Sequence, residues 1–205
     1  MKPAERPVVF GAHVERADAA RNRQHLLATA RQILTEHGPD KLTMDGLAER
    51  AGLGKGTVFR RFRSRAGIFQ ALLDEDETVF QHQVLAGPPP LGPGAEPLDR
   101  LIAFGRARAG FLIEHLDIAR AALDRSQPVP IGSQAPMSQI HIRMLLARLD
   151  LGRADLDILA VQLSAALEGP MLLYLSSDEL SRGTHELGPR LGQAWQDLVE
   201  RVCRS

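Results

Sequence analysis

The stretch "TMDGLAERAGLGKGTVFRRF", residues 43–62, predicts two short helices joined by a tight turn. Thr43 follows an apolar Leu42 and can accept a backbone N–H as the N-cap of the first helix, which Gly52 ends. Gly54 belongs to the connection, and "KGTVFRRF" is predicted to form the second helix. Helices of about two turns are not stable alone, so both must pack on neighbouring helices.

The second of these helices differs in chemistry between its two sides. Its polar and basic face consists of Thr57, Arg60 and Arg61, which are spaced i, i+3 and i+4 and so lie on one side of the helix. Its apolar side holds Val58, Phe59 and Phe62, and we expect both phenylalanines to be buried. Two short helices joined by a glycine-containing turn, with the second projecting polar and basic side chains, match a helix-turn-helix that enters the DNA major groove.

The glycines of this stretch do not fit a nucleotide-binding loop. A P-loop needs Gly, four residues and then Gly-Lys-Ser/Thr after a strand, but Glu49 stands at the first glycine position and Gly56 follows Lys55. The dinucleotide fingerprint also fails, because Thr57 or Phe59 occupies its third glycine position and no strand precedes it. Binding of a nucleotide here is therefore not expected.

Helical periodicity continues on both sides of the stretch. Before it, apolar residues recur at helical spacing from Arg21 until "HGPD", residues 37–40, stops the pattern. After it, Ser64 is the expected N-cap of a longer helix. The apolar stripe of that helix is predicted to consist of Ile68, Phe69, Leu72, Leu73, Val79 and Phe80.

Two tracts rich in proline and glycine divide the rest of the chain. "AGPPPLGPGAEP" at 86–97 and "SQPVPIGSQAP" at 126–136 are predicted loops, with a long apolar helix between them that breaks near residues 115–117. Three helical stretches follow, over 137–150, about 154–176 and about 186–203. No strand pattern occurs, so the predicted fold class is all-α.

Composition indicates an ordinary soluble protein. Of the 205 residues, 44% are apolar, and no stretch offers the roughly 20 uninterrupted apolar residues of a membrane helix. The N-terminus lacks the features of a secretory signal, so we expect a cytoplasmic protein without a membrane partner. The lone Cys203 cannot form an internal disulfide. No metal-ligand spacing or catalytic signature occurs, so we expect no bound metal, no cofactor and no enzymatic activity.

The zero net charge conceals an asymmetry along the chain. Residues 1–73 carry 13 Lys/Arg against 7 Asp/Glu, whereas residues 74–205 carry 12 against 18. The first part is thus about +6 and the second about −6. This difference suggests that only the first part meets a polyanion and that the second part has a different kind of partner.

Residues 21–73 resemble the DNA-binding domain of the tetracycline-repressor (TetR) family. The resemblance is carried by the order of a first helix, a glycine-containing stop, a Thr-capped helix, the "AG" turn, "GTVFRRF" and a helix that begins with Ser and a basic residue. It implies a flexible arm over 1–20, a three-helix helix-turn-helix domain over 21–66 and a helical ligand-sensing and dimerisation domain over 67–205.

The resemblance also implies which residues contact DNA, namely Thr43, Lys55, Gly56, Thr57, Phe59, Arg60, Arg61 and Arg65. Gly56 would let the end of the recognition helix approach the DNA backbone closely, and Arg65 stands where the family usually has a phosphate-binding Lys. For Thr43, contact with a phosphate and capping of its own helix explain the residue equally well.

The chain departs from the family pattern at two places. Phe59 stands where a Tyr commonly places its hydroxyl on a phosphate, and Arg61 stands where Tyr or His is frequent, so phosphate contacts are expected to shift toward arginine. Gly67 replaces an acidic residue that often completes a capping box with Ser64, so the fourth helix is expected to start less firmly.

For the second domain, the resemblance implies an apolar ligand pocket and a dimer interface. The candidate ligand-binding residues are Phe104, Arg108, Phe111, His115, His141, Met144, Met171 and Tyr174. A lone His or Met on a helix is more often a surface or core residue than a ligand contact, and that alternative stays open for each. The interface is expected in the helices at about 154–176 and 186–203, with Trp195 as an anchor.

The sequence thus predicts a homodimeric DNA-binding transcription regulator, a repressor that binds a palindromic DNA operator and is released by an unknown small-molecule effector. One alternative is a helical protein-interaction adaptor whose basic first domain binds an acidic partner. A helical enzyme is the other alternative, and it is disfavoured because no catalytic constellation is recognisable.

Overall fold

The computed structural model describes residues 11–123, 135–175 and 186–203. Apart from one 3-10 turn at Pro39–Lys41, every regular element in these ranges is an α-helix. The helices are α1 Gly11–His37, α2 Met44–Arg50, α3 Lys55–Phe62, α4 Arg65–Ala86, α5 Pro97–Glu114, α6 Leu116–Ala122, α7 Ala135–Leu146, α8 Leu156–Leu175 and α9 Leu187–Cys203. The all-α prediction is confirmed for the described part of the chain.

Most helix ends fall where glycine and proline predict them. The 86–97 tract separates α4 from α5, and the predicted break near 115–117 is the junction of α5 and α6 at His115. Helix α8 continues through Pro170, which lies inside it. Most of the predicted loop at 126–136 lies outside the described residues.

Helix α1 begins earlier than its apolar pattern predicts. It starts at Gly11 rather than near Arg21, so the described half of the expected arm is helical. Four of residues 11–20 are Ala, which favours a helix without contributing a strong apolar stripe. Periodicity therefore could not detect this extension.

The chain divides into two compact units, one up to Ala71 and one from Leu72 onward. The sequence placed this boundary between residues 66 and 67. Because α4 runs from Arg65 to Ala86, the division falls inside a helix, where the sequence carries no break signal. The first unit holds α1, α2, α3 and the start of α4.

The first unit is built around a small core to which each of its helices contributes. Its fully buried apolar side chains are Leu26, Leu27, Ala30, Leu42, Leu47, Val58, Ile68 and Phe69. Burial of a Leu or Phe side chain is worth roughly 1.5–3 kcal/mol, so this core is what holds the two-turn helices α2 and α3 in place.

The second unit has its own core between α4, α5, α7, α8 and α9. Phe80, Leu101, Phe104 and Ile142 belong to it, together with Trp195 from α9. Trp195 is only 4% exposed and donates from Nε1 to the carbonyl oxygen of Leu101 at 3.0 Å. The expectation that Trp195 anchors a dimer interface is therefore wrong, because its own unit buries the ring. Val79 is also outside the core, at 55% exposure.

Helix α8 is apolar but only partly covered. The most apolar 18-residue window within this 20-residue helix has a mean hydropathy of 1.5, and only 17% of that window is buried. By length and composition alone it is the one helix in the described ranges that could cross a membrane. Its apolar run is not uninterrupted, since Asp157, Gln162, Glu168 and Pro170 lie within it, and only its average hydropathy reaches that of a membrane helix.

Candidate functional site

Helix α3 presents one covered side and one broad exposed side. Val58 is completely buried and Phe62 is 6% exposed, which fixes this stripe against the core of the first unit. The rest of the helix surface is exposed, apart from a half-buried Thr57. The exposed side chains and glycine of α3 are Lys55, Gly56, Phe59, Arg60 and Arg61.

Phe59 is not a core residue. It is 63% exposed, so the expectation that both phenylalanines are buried holds for Phe62 and is wrong for Phe59. With about 100° of turn per residue, Phe59 lies roughly 80° round the helix from the middle of the stripe formed by Val58 and Phe62. That angle places its ring beyond the edge of the contact with the core.

Gly56 has no structural reason to be glycine within its own unit. A Cβ built at this position meets nothing within 4 Å, and its backbone is helical. Gly52 differs, because its φ of +64° lies in the left-handed region that the turn after α2 requires. The fold of the first unit therefore does not require a residue as small as glycine at position 56.

The three basic residues of α3 differ in how they are engaged. Lys55 forms a 2.9 Å ion pair with Asp45, in which both side chains are well exposed. Arg61 donates from Nη2 to the carbonyl oxygen of Ala19 at 2.8 Å. Arg60 is exposed and makes no hydrogen bond or ion pair with any other described residue. Exposed ion pairs are worth about 0–1 kcal/mol, so Lys55 can leave Asp45 for a stronger anion at little cost.

Thr43 and Arg65 brace the elements beside α3. The Oγ1 of Thr43 accepts the backbone N–H of Gly46 at 3.0 Å, so the predicted N-cap is confirmed. Arg65 donates from Nε to the carbonyl oxygen of Leu42 at 2.8 Å and from Nη2 to that of Pro39 at 2.7 Å. These bonds tie the first turn of α4 to the segment that precedes α2.

The turn between α3 and α4 gives Gly67 a steric role. The predicted cap is present, since Ser64 Oγ accepts the Gly67 N–H at 3.1 Å. A Cβ on Gly67 would lie 1.9 Å from the carbonyl oxygen of Phe62, closer than any side chain tolerates. Glycine at this position therefore permits the tight approach of α4 to the end of α3, where Arg63 has a φ of +65°.

The second unit gathers five of the eight predicted ligand-binding residues into one aromatic cluster. Phe80 of α4 lies 6.2 Å from Phe104 and 5.1 Å from Phe111 between ring centroids. Phe104 contacts the ring of His141 at 4.7 Å, and Phe111 stacks on His115 at 4.2 Å.

The fifth residue, Arg108, is 5% exposed, and its guanidinium lies between 5 and 6 Å from the ring centroids of Phe80 and Phe111. Sequence reasoning did not select Phe80 as a site residue, although it lies on the apolar stripe of α4. Its place between the two α5 rings depends on which helices pack together.

A buried ionic network crosses the same region. Arg108 Nη1 lies 2.6 Å from Glu77 Oε2, and its Nη2 lies 3.6 Å from Glu168 Oε1. Ser138 donates to the same Glu168 oxygen at 2.7 Å. The network joins α4, α5, α7 and α8, and sequence reasoning missed both glutamates. A charge inside an apolar helical stripe was the available signal, since such a charge is buried only when it is paired.

His115 has polar contacts besides its ring stacking, and the three remaining candidates, Met144, Met171 and Tyr174, lie elsewhere. His115 contacts the carbonyl oxygen of Phe111 through Nδ1 at 2.8 Å and Asp76 Oδ2 through Nε2 at 3.1 Å. Met144 is 42% exposed. Met171 and Tyr174 are half-buried on α8, where the Tyr174 carbonyl accepts a bond from Arg120. The structure does not bring these three into the aromatic cluster.

No group of three or more His, Cys, Asp or Glu residues with metal-binding geometry occurs within residues 11–123, 135–175 and 186–203. Cys203, on α9, is free, and burial raises the pKa of its thiol.

Comparison with known proteins finds matches to the first part of the chain. Residues 26–72 match the family model described as bacterial regulatory proteins, tetR family. An HTH-type transcriptional regulator of Staphylococcus aureus (strain USA300) is 29% identical over 65 residues, which are 32% of this chain and 35% of that protein. A counterpart in strain COL matches equally. The matched stretch thus spans about a third of the length of these curated relatives.

Solved structures resemble nearly the whole chain. A TetR-family transcriptional regulator from Pectobacterium atrosepticum has a TM-score of 0.71 at 20% identity, with 93% of this chain and 98% of that chain covered. NalD, the secondary repressor of the MexAB-OprM multidrug efflux pump in Pseudomonas aeruginosa, has a TM-score of 0.51 at 17% identity, with 90% and 96% covered. At these identities the likeness establishes a shared fold.

Proposed function

We infer from residues 26–72, which form a DNA-binding domain of the TetR family, that the chain is a DNA-binding transcription regulator. The observation that carries this proposal is the exposed side of α3. There Gly56 leaves open space that the fold does not use, and Arg60 has no partner in the described part of the chain. A helix face with these properties can approach a phosphate backbone and hydrogen-bond base edges.

The charge of the first part of the chain supports the same proposal. Residues 1–73 carry about +6, with 13 Lys/Arg against 7 Asp/Glu. A positive surface attracts DNA over a Debye length and releases counterions when phosphates are neutralised. On this proposal Lys55, Thr57, Arg60 and Arg61 contact DNA directly, while Thr43 and Arg65 contact phosphates or hold α2 and α4 beside α3.

We propose further that two copies associate through α8 and α9. Large apolar side chains on these helices are exposed, among them Ile158, Val161 and Leu198. Ala166, Pro170 and Ala194 help to line an apolar groove between the two helices. A helix of 20 residues is about 30 Å long, enough for a stable interface of about 800 Å² per partner, and a second copy would cover the surface that makes α8 so apolar.

A small molecule bound in the second unit would regulate DNA binding. The aromatic and ionic cluster around Arg108 joins α4 to α5, α7 and α8, and α4 continues directly into the DNA-binding domain. A ligand that binds one arrangement of these helices better than another would shift the population of DNA-binding dimers. We propose a repressor of this kind in the cytoplasm, with each subunit reading one half of a palindromic operator.

Sequencing the genomic fragments that the purified chain retains tests the proposed DNA binding. Retention of a small set of fragments with a shared two-fold-symmetric sequence is the expected result. Retention of no fragment above background at low salt would overturn it, and recovery of an acidic protein instead would favour the adaptor alternative.

Sedimentation of Ala194→Arg tests the proposed dimer separately. The long charged side chain would enter the groove between α8 and α9, so the variant should sediment as a monomer. Ile140→Arg, at a position 60% exposed on α7, is the matched control and should remain dimeric. A wild-type monomer, or a dimer of Ala194→Arg as tight as the wild type, would contradict the proposal.

A further inference from the structure

Helix α2 is too short to hold its own position. It has 7 residues, Met44–Arg50, and a helix of about two turns is not stable without tertiary contacts. After its C-terminal end, His25 of α1 donates from Nε2 to the carbonyl oxygen of Ala51 at 3.0 Å. Before its N-terminal end, the chain is held by Arg65, the first residue of α4. Side chains from two other helices therefore fix the two ends of α2.

The guanidinium of Arg65 holds two backbone carbonyl groups at once. Its Nε donates to the carbonyl oxygen of Leu42 at 2.8 Å, and its Nη2 donates to that of Pro39 at 2.7 Å. Leu42 is fully buried, and the next residue, Thr43, is the N-cap of α2. This pair of bonds, the Arg65 fork, thus ends on the backbone that leads directly into α2 and defines where that helix begins.

The ring of Phe69 supports the fork from one side. Its centroid lies 4.9 Å from the guanidinium carbon of Arg65, one turn away on α4. Phe69 is fully buried, so the ring is a fixed surface. A planar guanidinium can lie over a ring and donate to two acceptors, whereas the ammonium group of lysine is a point charge on a flexible stem. The fork therefore depends on the shape of the arginine side chain and not only on its charge.

Contact with a DNA phosphate is the alternative role for Arg65. The side chain is half-buried, and its Nε and Nη2 already donate within the first unit. If either nitrogen turned to a phosphate, a backbone carbonyl oxygen would lose its donor. Arg60 differs, because it is exposed and has no partner in the described ranges. These surroundings favour a role for Arg65 within the first unit.

We propose that Arg65 is a positioning residue, which sets the place of α2, and through α2 that of α3, relative to the start of α4. The inference rests on the proposed function, because DNA binding is the activity that this positioning serves. A displacement of the first turn of α4 carries α2 with it unless the fork breaks. Without the fork, only a fraction of the molecules keep the arrangement that binds DNA, and the apparent affinity falls by that fraction.

Arg65→Lys and Arg65→Gln separate the fork from the charge. Lysine keeps the charge and loses the fork, whereas glutamine loses both. Both variants should bind a retained genomic fragment about tenfold more weakly than the wild type, as expected when about a tenth of the molecules keep the binding arrangement. Both should also unfold at a lower urea concentration. Arg50→Lys is the matched control, because Arg50 forms an exposed 2.6 Å ion pair with Glu36 that lysine can replace. It should bind and unfold as the wild type does.

The affinities are measured under conditions in which every variant is folded. Where urea denaturation shows more than about 99% folded protein, lost stability alone would change the apparent affinity by only about 1%. A merely structural role would therefore leave the affinity of Arg65→Lys unchanged, and only a misplaced α2 and α3 would lower it.

Exchange of the Arg65 Nε proton with water tests the fork in the wild type and needs neither a variant nor DNA. In protein labelled with 15N-arginine, this proton should exchange at least about tenfold more slowly than the Nε proton of the exposed Arg60. It should stay as slow when DNA is added, because the fork persists in the complex. The measurement does not depend on the folding of any variant.

Three results would overturn the inference. The first is an Nε proton of Arg65 that exchanges as fast as that of Arg60. The second is an Arg65→Lys affinity within about twofold of the wild type, and the third is an Arg65→Lys variant that binds about tenfold or more tightly than Arg65→Gln, since charge would then be sufficient. A wild type that retains no genomic fragment refutes the proposed function instead, and proton exchange still decides whether the fork forms.

Discussion

Gly56 is a helical glycine that the fold of its own unit does not require. A Cβ there meets open space, whereas one on Gly67 would collide with a backbone carbonyl oxygen. Glycine inside a helix costs roughly 0.5–1 kcal/mol relative to alanine. On our proposal, DNA approaches α3 closely at this position, and the small size of glycine serves that approach.

Gly56→Ala should therefore separate stability from binding. We expect the free energy of unfolding in urea to rise by up to about 1 kcal/mol, because alanine restricts the unfolded chain and fits the helix. DNA affinity, measured on a retained genomic fragment, should fall about tenfold or more. Gly110→Ala in α5, where a Cβ also meets nothing within 4 Å, is the control for stability and should leave affinity unchanged. If Gly56→Ala binds DNA as tightly as the wild type, close approach of DNA does not explain the glycine at this position.

Phe59 and Phe62 form a matched pair for the two sides of α3. Phe62 is 6% exposed, so Phe62→Ala should lower the free energy of unfolding by about 3–5 kcal/mol. Phe59 is 63% exposed, so Phe59→Ala should change stability by less than about 0.5 kcal/mol while it weakens DNA binding. Urea denaturation and fragment binding of both variants check this. A large loss of stability in Phe59→Ala would show that the ring packs on the unit after all.

The lowered pKa of His141 should make the free energy of unfolding depend on pH. Burial and the Arg100 charge lower this pKa from 6.5 to about 4 in the folded protein, so the unfolded chain binds more protons between those values. Stability from this group is complete above about pH 6.5 and is lost as the pH falls toward 4, by at most about 1.4 kcal/mol per pH unit.

His141→Phe, compared with the wild type in urea unfolding at a series of pH values, isolates this contribution. The difference in unfolding free energy should vary with pH over that window and be flat above pH 7. A difference that does not depend on pH would contradict the buried, neutral imidazole.

Among the described elements, α5 and α9 share the most extensive contact. Trp195 lies against Gly105, where a Cβ would come within 2.0 Å of its indole Nε1. The same indole N–H donates to the Leu101 carbonyl on α5. Glycine on one helix thus makes room for the largest side chain on the other, and the hydrogen bond fixes the register between them.

Gly105→Ala should disrupt this contact. Overpacking of a close helix interface typically costs 1–3 kcal/mol, and here the indole must move and lose its hydrogen bond, so we expect about 3 kcal/mol. The measurement is urea unfolding followed by the fluorescence of Trp195, the single tryptophan. Gly110→Ala, five residues along the same helix, should be neutral or stabilising. Equal stability of the two variants would argue against the packing described.

The elements also show what the sequence could and could not predict. Glycine and proline act locally, so the ends of α2 and the junctions between α4 and α5 and between α5 and α6 follow from the sequence. The start of α1 does not, because residues 11–20 favour a helix without an apolar stripe. The ion pair of Glu77 with Arg108 joins residues on separate helices, and no local pattern says which helices meet.

At the scale of the whole molecule, charge and apolar surface are divided between the two parts of the chain. The basic first part carries the exposed face of α3, and the acidic second part carries the exposed apolar face of α8. On our proposal these are two interfaces with different partners, DNA and a second copy of the chain. The salt dependence of DNA binding tests the first directly, because each phosphate neutralised releases counterions.

The most direct measurement is the slope of the logarithm of DNA affinity against the logarithm of salt concentration, for the wild type and Arg60→Ala on one retained fragment. The wild type should show a steep negative slope. In Arg60→Ala the affinity should fall and, if Arg60 contacts a phosphate, the magnitude of the slope should decrease by about 1. Thr57→Ala should lower affinity with little change in slope. Binding that is insensitive to salt, or an Arg60→Ala variant that binds as the wild type does, would contradict DNA recognition by α3.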